Sequence, residues 1–302
     1  MRLFRQFALL CLVGSPLSVM APPRRPEIYN VALVRLRVSD VEQARHFYRD
    51  TLGLYPLTQG CFSPSGVATC YHLNFGQQLE IFPSTTSKDW NAVETVGYAV
   101  HDLSGMRDYL LARGVKCGQV TDGNSGYKFV ETFDPENHRV LFISSGIRAS
   151  SLIGYKGDNR LIHTGFVVKE REAEDRLYKD ILGFHVYWHG GMKEGEDNWV
   201  DMQVPDGTDW IEYMLRVSPD ASHKTLGVMN HIALGVPDIQ AAKEQLVKNG
   251  WKSTEEPKIG RDGKWQLNLY DPDETRVELM EFKPTKEPCC SPYTGPHPGP
   301  PQ

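Results

Sequence analysis

The chain has 302 residues, enough for two domains of ordinary size, and its 40% hydrophobic content suffices for packed cores. Its formal net charge is −5, with lysines and arginines scattered along its length. That pattern carries no basic footprint and argues against nucleic acid as a partner.

In chain order, the first element is a leader. Arg2 and Arg5 precede the apolar run FALLCLVGSPLSVM, and Val19-Met20-Ala21 offers a cleavage point, so residues 1–21 read as a secretory signal peptide. Gly14 and Pro16 inside so short a run argue against a membrane-spanning helix. The mature protein is therefore expected to be secreted or periplasmic, without stable membrane insertion. Of the six cysteines, Cys11 lies in the leader, and the other five cannot all pair within one chain. Cys61 and Cys70 bracket a turn-like SPSGVAT, which leaves a disulfide and free thiols both open.

Internal repetition then organises the sequence. NVALVRLRVSDVEQARHFYRDTLGL runs from an apolar strand through a Ser39-Asp40 helix start into a helix with apolar positions Val41, Ala44, Phe47, Tyr48 and Leu52, and Gly53 closes it. The same grammar returns in LIHTGFVVKEREAEDRLYKDILGF, and more weakly in VGYAVHDLSGMRDYLLARGV and HIALGVPDIQAAKEQLVKNGW. Strand-like segments follow each helix; the second and fourth sets end in FDPENHRVLFIS and YDPDETRVELMEF, where an Asp-Pro turn feeds a final strand.

The expected fold class is α+β, with four βαβββ units forming two modules, each a cup-shaped mixed sheet. The first module is placed at 28–147, a small, polar, glycine-containing linker at 148–157, and the second module at 158–284. The tail, 285–302, is rich in proline and glycine and is expected to be disordered.

Four residues of the second half, His163, Glu212, His231 and Glu278, follow one another at intervals of 49, 19 and 47 positions. Two imidazoles and two carboxylates form a usual ligand set for a divalent metal. His163 and His231 open the third and fourth units, while Glu212 and Glu278 lie in their last strands. In DWIEYML, alternation turns Ile211 and Tyr213 away from the side that Glu212 faces. The equivalent positions of the first half are Leu33, Glu80, Thr95 and Leu141, so a single metal site per chain is expected, with Glu80 left solvated or hydrogen-bonded.

The chain resembles the vicinal oxygen chelate superfamily, which includes glyoxalase I, type I extradiol dioxygenases, methylmalonyl-CoA epimerase and bleomycin-resistance proteins. The residues that carry the resemblance are HIALGVPD (231–238), LRVSD (36–40) with FYRDTLGL beyond it, and DPDETRVEL (271–279). It implies one divalent ion, whether Zn, Ni, Co, Mn or Fe(II), and a small-molecule substrate with adjacent oxygens. The His-Glu-His-Glu order resembles the glyoxalase and epimerase branch, a lyase or isomerase in which Glu278 or Glu212 acts as the catalytic base. The alternative is an extradiol dioxygenase using His163, His231 and Glu278, with Tyr270 and His223 as supporting groups. A binding protein of the resistance type is the third reading. His185 and His189 are further candidates for the pocket wall, and the chain is expected to be a monomer or homodimer.

Overall fold

The structure, a computed structural model, describes residues 23–57, 60–63, 67–74, 76–85, 90–144 and 159–300. The leader and the linker expected at 148–157 lie outside the described residues. Among those described, no helix is long and apolar enough to cross a membrane.

The first module runs β1 (Asn30–Val38), α1 (Val41–Arg45), β2 (Tyr55–Leu57), β3 (Thr69–Asn74), β4 (Gln77–Pro83), β5 (Val93–Ala99), α2 (Leu103–Ala112), β6 (Thr121–Asp122), β7 (Lys128–Phe133) and β8 (Arg139–Ser144). The second repeats it as β9 (Arg160–Val167), α3 (Arg171–Asp175), β10 (His185–Gly190), β11 (Trp199–Gln203), β12 (Trp210–Met214), α4 (His223–Met229), β13 (His231–Val236), α5 (Ile239–Lys248), β14 (Lys258–Ile259), β15 (Trp265–Tyr270) and β16 (Arg276–Glu281). Helices α1 and α3 each widen into a π-helical turn, at His46–Thr51 and Arg176–Ile181. Asp40, Asp102 and Asp238 cap α1, α2 and α5 by accepting from backbone amides that have no partner within the helix.

Each module forms an eight-stranded sheet, in the orders β2-β3-β4-β1-β5-β8-β7-β6 and β10-β11-β12-β9-β13-β16-β15-β14. The first strands of the two units in a module, β1 with β5 and β9 with β13, pair antiparallel at the centre, and the last strand of each unit runs parallel beside them. This topology brings the first and last strands of two repeats side by side. Residues separated by tens of positions therefore share the middle of one concave face.

One apolar core joins the two modules, with Tyr48, Tyr98 and Phe142 from the first and Tyr178, Phe184 and Tyr213 from the second. The contact repeats a pseudo-symmetric motif: the Tyr48 hydroxyl donates to Asp271 at 3.0 Å and the Tyr178 hydroxyl to Asp134 at 3.3 Å. Those aspartates begin the two Asp-Pro turns and also accept from backbone amides within them. Asn137 and Glu274 take the left-handed conformation that each turn requires, with φ of 68° and 63°.

Two features differ from expectation or settle it. Residues 283–300 are not a disordered tail: they pack on the second module without regular structure, through backbone and polar contacts. Trp188 Nε1 donates to Cys289 O, Gln203 to Pro296 O, Arg160 to Gly299 O, and Thr294 N to Tyr187 O. Composition misleads here because side chains of the module, not a hydrophobic pattern in the tail, supply the partners. Cys61 and Cys70 form a disulfide, as do the adjacent Cys289 and Cys290, leaving Cys117 as the free thiol among the described residues.

Candidate metal centre

The four expected residues meet at the centre of the second sheet. His163 comes from β9, Glu212 from β12, His231 from β13 and Glu278 from β16. The two imidazole Nε2 atoms stand 3.1 Å apart. Glu212 Oε2 lies 3.0 Å from His231 Nε2 and 3.7 Å from His163 Nε2, and Glu278 Oε2 lies 3.7 Å from His163 Nε2. One donor atom each from His163, His231 and Glu278 falls within 4.8 Å of the others, a spacing that suits one divalent ion.

The details of the cluster fit a cation. His231 Nδ1 donates to Met229 O at 3.0 Å, which fixes the tautomer and leaves the Nε2 lone pair facing the cluster. Trp210 stacks on His163 with ring centroids 4.8 Å apart and holds that ring in place. Burial lowers both imidazoles well below their usual range, and the nearby Arg276 acts in the same direction, so both are neutral donors. Burial also pushes Glu212 and Glu278 up to about 7, against the pull of Arg276. Arg276 Nη2 sits 2.7 Å from His231 Nε2 and 3.9 Å from Glu212 Oε2, a guanidinium standing where the donor set calls for positive charge.

Gly165 makes room for this arrangement. It is the cross-strand neighbour of both His231 and Glu212, and a methyl group there would lie 2.5 Å from His231 Nδ1 and 2.8 Å from Nε2. The equivalent residue of the first module is Arg35, beside Glu80 and Thr95. Its guanidinium donates to Glu80 Oε2 at 3.0 and 3.1 Å and to Ser63 Oγ at 2.6 Å. Glu80, expected to be solvated or hydrogen-bonded, is fully buried and ion-paired. Leu33 and Leu141 join Phe62 and Ile143 in an apolar cluster. The first cup thus carries a side-chain cation where the second presents ligands.

A cavity of about 370 Å³ opens from the cluster toward both edges of the second sheet. Trp188, Trp199, Trp210 and Met280 supply apolar walls, and Asp201, Gln266, Asn268 and Arg276 supply polar ones. None of these wall residues was singled out from the sequence. Period-two alternation from Glu278 would have found Arg276 and Met280 on the same face.

Four other sequence candidates lie outside this wall. Tyr270 is 38% exposed and borders a surface depression with Glu42 and Phe47. His223 bonds Asp273 O at 2.9 Å and packs on Trp90. His185 bonds Gln203 at 3.1 Å, and His189 bonds Asp197 at 2.7 Å. The expectation that Tyr270 and His223 support the metal site is therefore corrected. Tyr270 ends β15 and its ring borders the surface depression instead of the cavity, and α4 ties His223 to the Asp-Pro turn.

Comparison with known proteins agrees with this architecture. A family model described as "Glyoxalase/Bleomycin resistance protein/Dioxygenase superfamily" matches residues 30–142 and 160–279. A lactoylglutathione lyase of Haemophilus influenzae is 26% identical over 129 residues, 42% of this chain and 96% of that protein. Among solved structures, a 2,3-dioxygenase from Pseudomonas sp. KL28 superposes with a TM-score of 0.61 at 16% identity, covering 91% of this chain and 96% of that one. Homoprotocatechuate 2,3-dioxygenase from Arthrobacter globiformis also gives 0.61, at 19% identity, over 87% of this chain and 81% of its own. At these identities the likeness to the two dioxygenases is one of fold.

Proposed function

Because the chain belongs to the glyoxalase/bleomycin resistance protein/dioxygenase superfamily, we propose that it is a metalloenzyme acting on aromatic substrates with two adjacent hydroxyls. Its reaction is ring opening by dioxygen beside the diol. The observation that carries this reading is the convergence of His163, His231 and Glu278 on one point at the floor of a tryptophan-walled cavity. Two neutral imidazoles and one carboxylate suit iron(II) and leave open positions on the ion. The likeness of both modules together to two 2,3-dioxygenases supports it, whereas the lyase relative matches 42% of the chain. This order reverses the preference that the His-Glu-His-Glu succession suggests by itself.

Iron(II) in the triad would supply a Lewis acid for the diol and electrons for dioxygen. The chain's own groups do the rest. Glu212, outside the triad and held near pH 7 by burial, is placed to take a proton from a diol hydroxyl as general base. Trp188, Trp199 and Trp210 offer aromatic faces to the ring and exclude water from it. Arg276 offsets negative charge that develops as the diol ionises.

One observation favours a second reading. Glu212 Oε2 is nearer to His231 Nε2 than Glu278 Oε2 is to His163 Nε2, at 3.0 against 3.7 Å. With Glu212 as a fourth ligand, the site suits a lyase or isomerase on a substrate with adjacent oxygens. The two are separated by loading the protein with iron(II) anaerobically and adding catechols and air. Oxygen uptake with a yellow ring-opened product supports the dioxygenase. Turnover of a methylglyoxal hemithioacetal, or exchange of solvent deuterium into a 2-oxo substrate without oxygen uptake, supports the second reading and contradicts the first.

A further inference from the structure

Asp201 is the cross-strand partner of Glu212, one strand further from the centre of the sheet. Alternation along β11 turns Trp199 and Asp201 toward the cavity, while Val200 and Met202 join the core beneath. The residue is 5% exposed, and that remnant is cavity wall. Among the described residues its side chain makes neither a hydrogen bond nor an ion pair.

The charged groups around it are Glu212, Lys264, Asp262 and Glu278. Only Lys264 is positive, and its ammonium is committed to rings, 4.4 Å from the centroid of Trp210 and 5.2 Å from those of Tyr187 and Tyr293. Asp262 shows what a satisfied carboxylate looks like in the same wall: it accepts from Lys264 N, Gln266 Nε2 and the Tyr293 hydroxyl. Burying a carboxyl group without a hydrogen-bond partner opposes folding, and among the described residues no hydrogen bond offsets that cost at Asp201. Such a group in a cavity wall is satisfied by what enters the cavity.

We infer that Asp201 determines specificity, accepting a hydrogen bond from a hydroxyl or ammonium group carried on a ring substituent of the substrate, away from the two chelating oxygens. The assignment rests on the ring-diol reading above. Its place on β11 sets it beside the metal cluster instead of within it, so the group it recognises is distinct from the diol. A hydrogen bond to a buried polar group that otherwise has no partner is worth about tenfold in affinity.

The test uses the metal-loaded full chain under nitrogen, with binding read from quenching of tryptophan fluorescence. The probes are 4-methylcatechol, 4-(hydroxymethyl)catechol and 4-(2-aminoethyl)catechol. The wild-type protein should bind at least one donor-bearing compound about tenfold or more tighter than 4-methylcatechol. Asp201→Leu should abolish that ratio while keeping the affinity for 4-methylcatechol and the metal content. Asp201→Asn, which keeps shape and an acceptor oxygen, should retain most of the preference that Asp201→Leu removes. A wild-type ratio near one, or a ratio unchanged in Asp201→Leu, would overturn the assignment while leaving the ring-diol reading in place. Failure of the wild-type protein to bind any of the three would overturn that reading and the assignment with it.

Discussion

Replacing Gly165 by alanine should damage the metal centre without touching a ligand. The added methyl would lie 2.0 Å from His231 Cε1, 2.5 Å from Nδ1 and 2.8 Å from Nε2, against about 3.4 Å for ordinary contact, so the ring must retreat by about 1.4 Å at Cε1. Metal–ligand distances tolerate shifts of about 0.2 Å, so His231 cannot keep both its hydrogen bond to Met229 O and its place in the cluster. Affinity should fall by about 10- to 100-fold, the scale set by loss of a ligand's supporting contact, with overpacking lowering stability by about 1–3 kcal/mol. The backbone is not the obstacle, since Arg35 occupies the same register position in the first module. Competition titration against a chromogenic chelator gives the affinity, and urea unfolding of the metal-free protein gives the stability. Wild-type affinity in Gly165→Ala would refute the claim that this glycine exists to seat His231.

Metal binding should release about one proton near pH 6, from Glu278, and few above pH 8, because Glu278 titrates near 7 while both histidines are already neutral; Glu212 as a fourth ligand would bring the count at pH 6 to about two. Calorimetry in buffers of different ionisation enthalpy counts them, and a proton count that does not fall between pH 6 and pH 8 would contradict the assignment. In the metal-free protein the same carboxyls, raised above their unfolded values, add stability that is full below about pH 4.5 and lost as pH rises through about 7. The lowered histidines act oppositely, adding stability above about pH 6.5 that is lost as pH falls. Between pH 6.5 and 7 the carboxyls dominate, so unfolding midpoints should decline there. Arg35→Leu leaves Glu80 buried without its cation and should cost about 3–5 kcal/mol in urea unfolding with metal content unchanged; a cost below 1 kcal/mol would show the pair to be dispensable. Truncation after Lys286 removes the partners of Trp188, Gln203 and Arg160 and should lower the melting temperature and shift tryptophan emission to the red; unchanged emission would show that the tail does not hold Trp188.

The repeat and the quartet were legible because both depend on spacing that a sequence displays directly. Two imidazoles at the starts of repeats and two carboxylates in their last strands can meet only if first and last strands adjoin, and they do. Arg35 was not legible as a counterion. Its partner Glu80 is set by the parallel register of β1 and β4, which nothing in the local sequence of either strand encodes. Asp201 sits in a WVDMQ strand that reads as ordinary alternation, and its want of a partner exists only in three dimensions. Tyr270 and His223 misled because a resemblance to a family suggests a role without fixing a position: Tyr270 ends β15 beside a surface depression, and a short helix ties His223 to the Asp-Pro turn.

Binding of one divalent ion per chain, in the second module, is tested most directly by metal analysis of wild-type, His163→Ala and Leu33→Ala proteins, each equilibrated with iron(II) or zinc and then desalted. Wild type and Leu33→Ala should each retain about one equivalent, and His163→Ala close to none. Equal retention in all three, or no retained metal in the wild type, would contradict it.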